Sequence, residues 1–429
     1  MITSTILYLS IILTVVLFVV SLFSHSYKFP LLLYLFTSPI VYAGWSLKIG
    51  NFSIIHLFNG GFIFIFILKF LLKKEQLYEF PYLKLFLFYF FLNLFVAINI
   101  YFNNGWFSAL DFFIKSVFMP LSFYLFYQYY RNHSDGKRLI IILIVSGIFP
   151  LAFILVQKFS GHVWFYRETR GIVRNVGLYH DIVTPRIFLM QTLIGIFIYW
   201  HYFLRQKRKL STIILISLLL LTGLGIYYLY SKAILITLFV WLLMFAILRG
   251  KKNAVPVVAI FALLIVIFFS GVIIESEIHQ VFSKEVDFVS GNLSSDYVLS
   301  GRGGIWKMYL NNWNNLPFFR KIIGVGVSHA YFHNDYLRIL FSGGIFQLSI
   351  YIIIIVIFTF RLLNNYIHQN FFLSFIALLC VSYLFIDSFG HVTSLYPHMQ
   401  IFIWGLVGLS INENLEWKEE KALIKKQVF

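Results

Sequence analysis

The chain has 429 residues, 60% of them hydrophobic and only 12% charged, and its formal net charge is +17. Ordinary soluble domains carry roughly a quarter charged residues, so the composition excludes a water-soluble globular protein and points to helices buried in lipid. The basic residues sit in short clusters between apolar runs with no RNA- or DNA-binding motif beside them, which argues against a nucleic-acid partner.

The 51 Phe and 27 Tyr, with abundant Ile, Asn and Lys, fit a bias toward AT-rich codons. Cys380 is the single cysteine and lies inside an apolar run, so no disulfide is expected within the chain. The opening MITSTILYLS lacks a basic region and a small-residue cleavage site, and reads as an uncleaved first span.

Runs of about 18 or more apolar residues read as spanning helices. They fall near 2–23, 29–45, 52–72, 82–100, 109–130, 138–157, 182–203, 210–229, 231–248, 254–274, 336–360, 371–387 and 397–412. The expected fold is therefore all-α: one polytopic membrane helix bundle of about 12–13 spans over residues 1–429. Lys73–Lys74, Arg131 with Lys137–Arg138, Arg205 with Lys207–Arg208–Lys209, Arg249 with Lys251–Lys252, Arg361 and the Lys-rich tail from Lys418 fall on one side. Short basic loops stay cytoplasmic, so the alternate loops face outward, and an odd number of spans places the N-terminus outside.

Two outward loops are long, 158–181 and 275–335. Long ordered loops in such a chain usually carry function. The first is Arg-rich: Arg167, Arg170, Arg174 and, just beyond it, Arg186 outnumber Glu168 and Asp181. Arg on the outer side breaks the orientation rule, and its planar fork suits phosphate; headgroup anchoring and pairing with the two acids are the structural alternatives.

In the second loop Trp306, Tyr309, Leu310 and Trp313 recur at helical spacing. They predict an amphipathic helix after Gly304, lying on the membrane with its aromatics as interfacial anchors. Gly301, Gly303, Gly324 and Gly326 predict tight turns on either side. His333 precedes a span beside Asn334 and Asp335 and is the sharpest candidate for a general base. His329 lies four residues earlier, but without the intervening Glu of a zinc protease, and no metal or other cofactor is expected.

Charges inside spans are costly and default to functional hypotheses. Asp111 and Lys115 share a helical face and can neutralise each other. Lys232 stands at the outer end of its span with no acidic neighbour in sequence, either snorkelling or binding an anion. Asp387 and His391 border the last outer turn, where capping and catalysis both remain open.

The stretches SGRGGIW and GVGVSHAYFHNDYLRILFSGG resemble the shared signature of the O-antigen polymerase and O-antigen ligase superfamily. An Arg in the long outer loop is followed by a Gly-rich turn, then by His333–Asn334 leading into a late span, with Gly344 after nine residues. YSKA near 230 resembles the family's Ser-Arg segment, with Lys232 in place of Arg. The ligase form prefers a small residue or Tyr where this chain has Gln347, and the Arg-x10-Gly repeat of some polymerases is absent.

The resemblance implies an integral-membrane glycosyltransferase without a cofactor, its donor a glycan on undecaprenyl diphosphate. His333 and Arg302 become the catalytic candidates, and Arg186, Arg174, Arg170 and Lys232 the candidates for holding the diphosphate. It implies a bacterial cytoplasmic membrane, a site facing the periplasm or exterior, contacts with membrane lipids, and a chain-length regulator as a protein partner. A repeat-unit polymerase is the leading reading; a ligase with the same fold and a transporter of lipid-linked sugars are the alternatives.

Overall fold

Lipid offers a peptide group no hydrogen-bond partner, so an apolar run that crosses a membrane must satisfy its backbone internally. The computed structural model describes residues 2–24, 26–50, 52–73, 80–169, 172–204, 209–248, 277–327, 332–412 and 417. Arg170, His329 and the span read at 254–274 lie outside the described residues, as do 205–208, 249–252 and the tail from 418.

The first ten helices are α1 (Ile2–Phe23), α2 (Lys28–Ala43), α3 (Ile54–Lys73), α4 (Leu83–Asn104), α5 (Trp106–Tyr129), α6 (His133–Ser146), α7 (Ile148–Ser160), α8 (Val183–Tyr202), α9 (Lys209–Tyr228) and α10 (Lys232–Leu248). After them come α11 (Glu277–Val289), α12 (Val298–Asn314), α13 (Phe318–Ile323), α14 (Asp335–Gln369), α15 (Phe372–Ser388) and α16 (Pro397–Ile411). Among the described residues seven helices are long and apolar enough to cross a membrane: α1, α4, α5, the α6–α7 run, α8, α9 and α14. Helices α2, α10, α15 and α16, and the stretch Ile54–Leu68 of α3, are apolar but shorter. One contiguous apolar core draws residues from α1 to α10 and from α14 to α16. Ile213, Ile214 and Leu220 of α9 remain exposed, as expected of a helix whose outer face meets lipid.

Two elements differ from the sequence expectation. The span read at 138–157 starts earlier and is two helices, α6 and α7, which part at Gly147. The helix expected after Gly304 begins at Val298, so Gly301 and Gly303 lie within α12, where Gly301 still takes a positive φ of +84°. Its aromatics also face protein: Tyr309 stands 4.3 Å from the Phe332 ring, and Trp313 5.4 Å from the Phe341 ring. Phe332 and, within α14, Phe341 thus offer these two rings an aromatic partner, while Leu310 of the same helix stays exposed. Gly324 and Gly326 do take the left-handed turn conformations expected of them, with φ of +78° and +69°.

Helix α14 is interrupted at Gly343 and Gly344, the latter with φ 75° and ψ −172°. That backbone region is essentially confined to glycine. A Cβ on Gly344 would stand 2.0 Å from the Ile322 carbonyl oxygen, so the end of α13 passes directly over the break. The carbonyl of Phe341 accepts from the Val325 N–H (2.8 Å), and that of Ser342 from the Gly326 N–H (3.3 Å). Gln347 fastens the far side: its Oε1 accepts from Ser342 Oγ (3.0 Å) and its Nε2 donates to Asn93 Oδ1 (2.9 Å). The Gly-rich turn and the motif glycine therefore form one device, which sets the short first segment of α14 at its angle.

Candidate anion-binding site

The first residues of α8, the last of α15 and the turn beyond α15 converge on a buried ion pair. Arg186 and Asp387 are both fully buried, and Arg186 Nη2 donates to both carboxylate oxygens. Arg186 Nη1 donates to Ser231 Oγ (2.9 Å), just before α10. Its Nε is buried with no hydrogen-bond partner among the described residues. A buried charge demands this kind of pairing, because desolvating it costs several kcal/mol.

Arg302 of α12 reaches the same place. Its Nη1 lies against Gly390, 2.9 Å from where a Cβ would stand, so any larger residue at 390 would displace the guanidinium. Burial, and then the charge of Arg186, lower the pKa of Arg302 from its ordinary value, while Asp387 works in the opposite direction. Arg174, which follows the antiparallel pair of two-residue strands β1 (Glu168–Thr169) and β2 (Ile172–Val173), is near enough for its charge to act on His391. Two guanidinium groups, those of Arg186 and Arg302, thus act on Asp387, Arg174 adds its charge beside His391, and Asp335 is the other acid close enough to be felt at Asp387.

His333 lies at the entrance to α14 with φ +47°, a left-handed conformation rarely held by non-glycine residues. Asn334 explains the geometry beside it: its side chain caps α14, accepting from the Leu337 N–H at 3.0 Å. Half-burial and then the Arg302 charge lower the His333 pKa from its ordinary value. His391 is held well below its ordinary value, first by burial and then by Arg186, Arg302, His333 and Arg174. Both imidazoles are therefore neutral near pH 7 and can accept a proton.

A second polar network holds the two halves in register. Asp335 accepts from Arg338 Nε (2.8 Å), Thr393 Oγ1 (2.9 Å), the Ser394 N–H (2.8 Å) and Ser394 Oγ (2.7 Å). Arg338 Nη2 donates to Ser394 Oγ as well (2.6 Å). The turn that carries His391 is thereby bolted to the helix that follows His333.

Of the residues singled out in the sequence, Arg186, Arg302, Arg174 and His333 come together, with Asp387 and His391 among them. Lys232 is different. Its Nζ pairs with Glu285 of α11 at 2.7 and 2.6 Å, so the apparent lack of an acidic neighbour is corrected by a partner 53 residues away. In the YSKA segment it is Ser231 that bonds Arg186. Gln347 belongs to the helix break. Ser231, Arg338 and Ser394 carried no sequence signal beyond being polar next to apolar runs. Among the described residues no group of three or more His, Cys, Asp or Glu side chains is placed to hold a metal ion. No protein-family model matches the chain, and no curated protein matches it either.

Proposed function

We propose that the protein joins lipid-linked sugar chains, as a polymerase of oligosaccharide repeat units carried on undecaprenyl diphosphate. The observation that carries this reading is the meeting of Arg186 and Arg302 at Asp387, with Arg174 acting on neighbouring His391 and neutral His333 alongside. A surplus of guanidinium charge in a partly dry site suits a diphosphate, and it suits the leaving diphosphate better still, as negative charge grows on the departing oxygen.

In this mechanism a hydroxyl of the incoming subunit attacks the anomeric carbon of the donor glycan. The bond from that carbon to the phosphate oxygen breaks, its electron pair leaves with the lipid diphosphate, and His333 takes the hydroxyl proton. Arg302 contacts the diphosphate, and Arg186, positioned by Asp387 and Ser231, extends the field around it. The orientation inferred from the basic loops puts the site on the outer face of a bacterial cytoplasmic membrane. There a donor must arrive already activated. About 12–13 spans complete the bundle.

Protein reconstituted in lipid nanodiscs tests the reading. Inorganic pyrophosphate should bind to the wild type, and Arg302→Gln should weaken that binding at least tenfold. A deletion strain should accumulate single repeat units on the lipid carrier. Unattached long polymer in that strain would instead identify a ligase.

A further inference from the structure

A second group of charges lies at the starts of α3 and α5. His56, Asn59, Asp111 and Lys115 line a small, half-open cavity of about 30 Å³ together with Phe52, Phe107, Leu110 and Ile114. Asp111 Oδ2 accepts from Lys115 Nζ (2.7 Å), and Asp111 Oδ1 stands 3.2 Å from His56 Nε2. The other face of the imidazole is committed, because Nδ1 accepts from the Ser53 N–H (3.2 Å) and lies 2.7 Å from Ser53 Oγ. That arrangement leaves the proton on Nε2, directed at Asp111. The side chains of His56, Asp111 and Lys115 keep 31, 25 and 19% exposure, so this neutralised cluster is open to a ligand.

The apolar wall is aromatic. Phe52 and Phe107 meet edge to face at 5.2 Å, and Phe107 meets His56 at 5.5 Å. A free anion would meet the Asp111 carboxylate here, and a free cation the Lys115 ammonium. A neutral ring bearing several hydroxyls meets neither objection: carboxylate and ammonium offer an acceptor and a donor, and C–H faces pack on the phenyl groups. Asn59 links the cavity to the arginine cluster. It bonds Tyr42 Oη (3.0 Å), the Tyr42 ring touches His398 (4.4 Å), and His398 lies 5.7 Å from Tyr396, on which both Arg186 and Asp387 act electrostatically.

We infer that this cavity is a second binding site, specific for a neutral sugar ring. Its identification as the site of the acceptor end rests on the sugar-joining reading; the binding itself does not. The test is saturation-transfer NMR on protein in nanodiscs with the methyl glycosides of glucose, galactose, mannose, rhamnose, N-acetylglucosamine and N-acetylgalactosamine. At least one should receive saturation from the wild type. The signal should fall at least fivefold in Phe107→Leu and in the double variant Asp111→Asn/Lys115→Met, which leaves no lone charge behind. Pyrophosphate binding, read in the same samples, should persist in both variants and confirms that they fold. No signal from any glycoside, or a signal equal in wild type and variants, overturns the sugar site. Loss of pyrophosphate binding from the wild type with glycoside binding intact overturns the arginine site alone.

Discussion

Replacing Asp387 by Asn removes the carboxylate that faces Arg186 while keeping its shape. Both side chains are fully buried, and Arg186 donates to both oxygens of Asp387, so solvent cannot compensate. Removing one partner of a buried pair costs about 3–5 kcal/mol, because the other charge stays behind unpaired. Arg302 adds to the cost here, since its charge acts on the same carboxylate. The double variant Arg186→Gln/Asp387→Asn carries no uncompensated pair and should recover most of the loss, giving a coupling energy of at least about 2 kcal/mol. Reversible unfolding in mixed micelles, monitored by tryptophan fluorescence, measures all four corners of the cycle. A single Asp387→Asn variant within about 1 kcal/mol of wild type would refute the reasoning, because that is the range of a solvated pair.

Other consequences follow from particular contacts. The lowered pKa of His333 means that activity falls on acidification through a value below its ordinary 6.5 or so, as the base becomes protonated. Arg302→Gln removes a positive neighbour, so the acid limb of the pH–rate profile should move upward in that variant, whatever its absolute rate. Gly344→Ala forces a side chain into a glycine-only conformation against the Ile322 carbonyl; a loss of roughly 2–6 kcal/mol is expected, read by chemical unfolding. Gln347→Leu takes the donor from Asn93 Oδ1 at the helix break, while Ser342 Oγ keeps the Ile339 carbonyl, and should cost about 1–3 kcal/mol while pyrophosphate titration stays unchanged. Lys232→Met should likewise leave pyrophosphate affinity within twofold of wild type, since that ammonium is already held by Glu285.

Apolar runs were readable because lipid dictates their conformation locally, and the structure places helices at each described span. Asp111 and Lys115 were readable as a pair for the same reason, their spacing along one helix. What the sequence concealed were partners brought in from a distance. Lys232 looks unpaired until α11 folds back with Glu285, and Trp313 looks like a lipid anchor until α14 presents Phe341. Asp387 and His391 lie some 200 residues from Arg186, so only the packed bundle reveals that they belong to one site. The motif glycine at 344 was visible, but its reason was not: a carbonyl from α13 occupies the space a side chain would need.

Elongation by the purified protein is the measurement closest to the proposed joining of sugar chains at Arg302 and His333. Lipid-diphosphate-linked repeat units, radiolabelled in the glycan and extracted from a deletion strain, would be incubated with nanodisc-embedded protein and resolved by size. A ladder of longer glycans with release of lipid diphosphate is expected, reduced at least a hundredfold by His333→Ala and by Arg302→Ala in protein that still folds. Units that stay single with the wild type, or a ladder unchanged by His333→Ala, would contradict it.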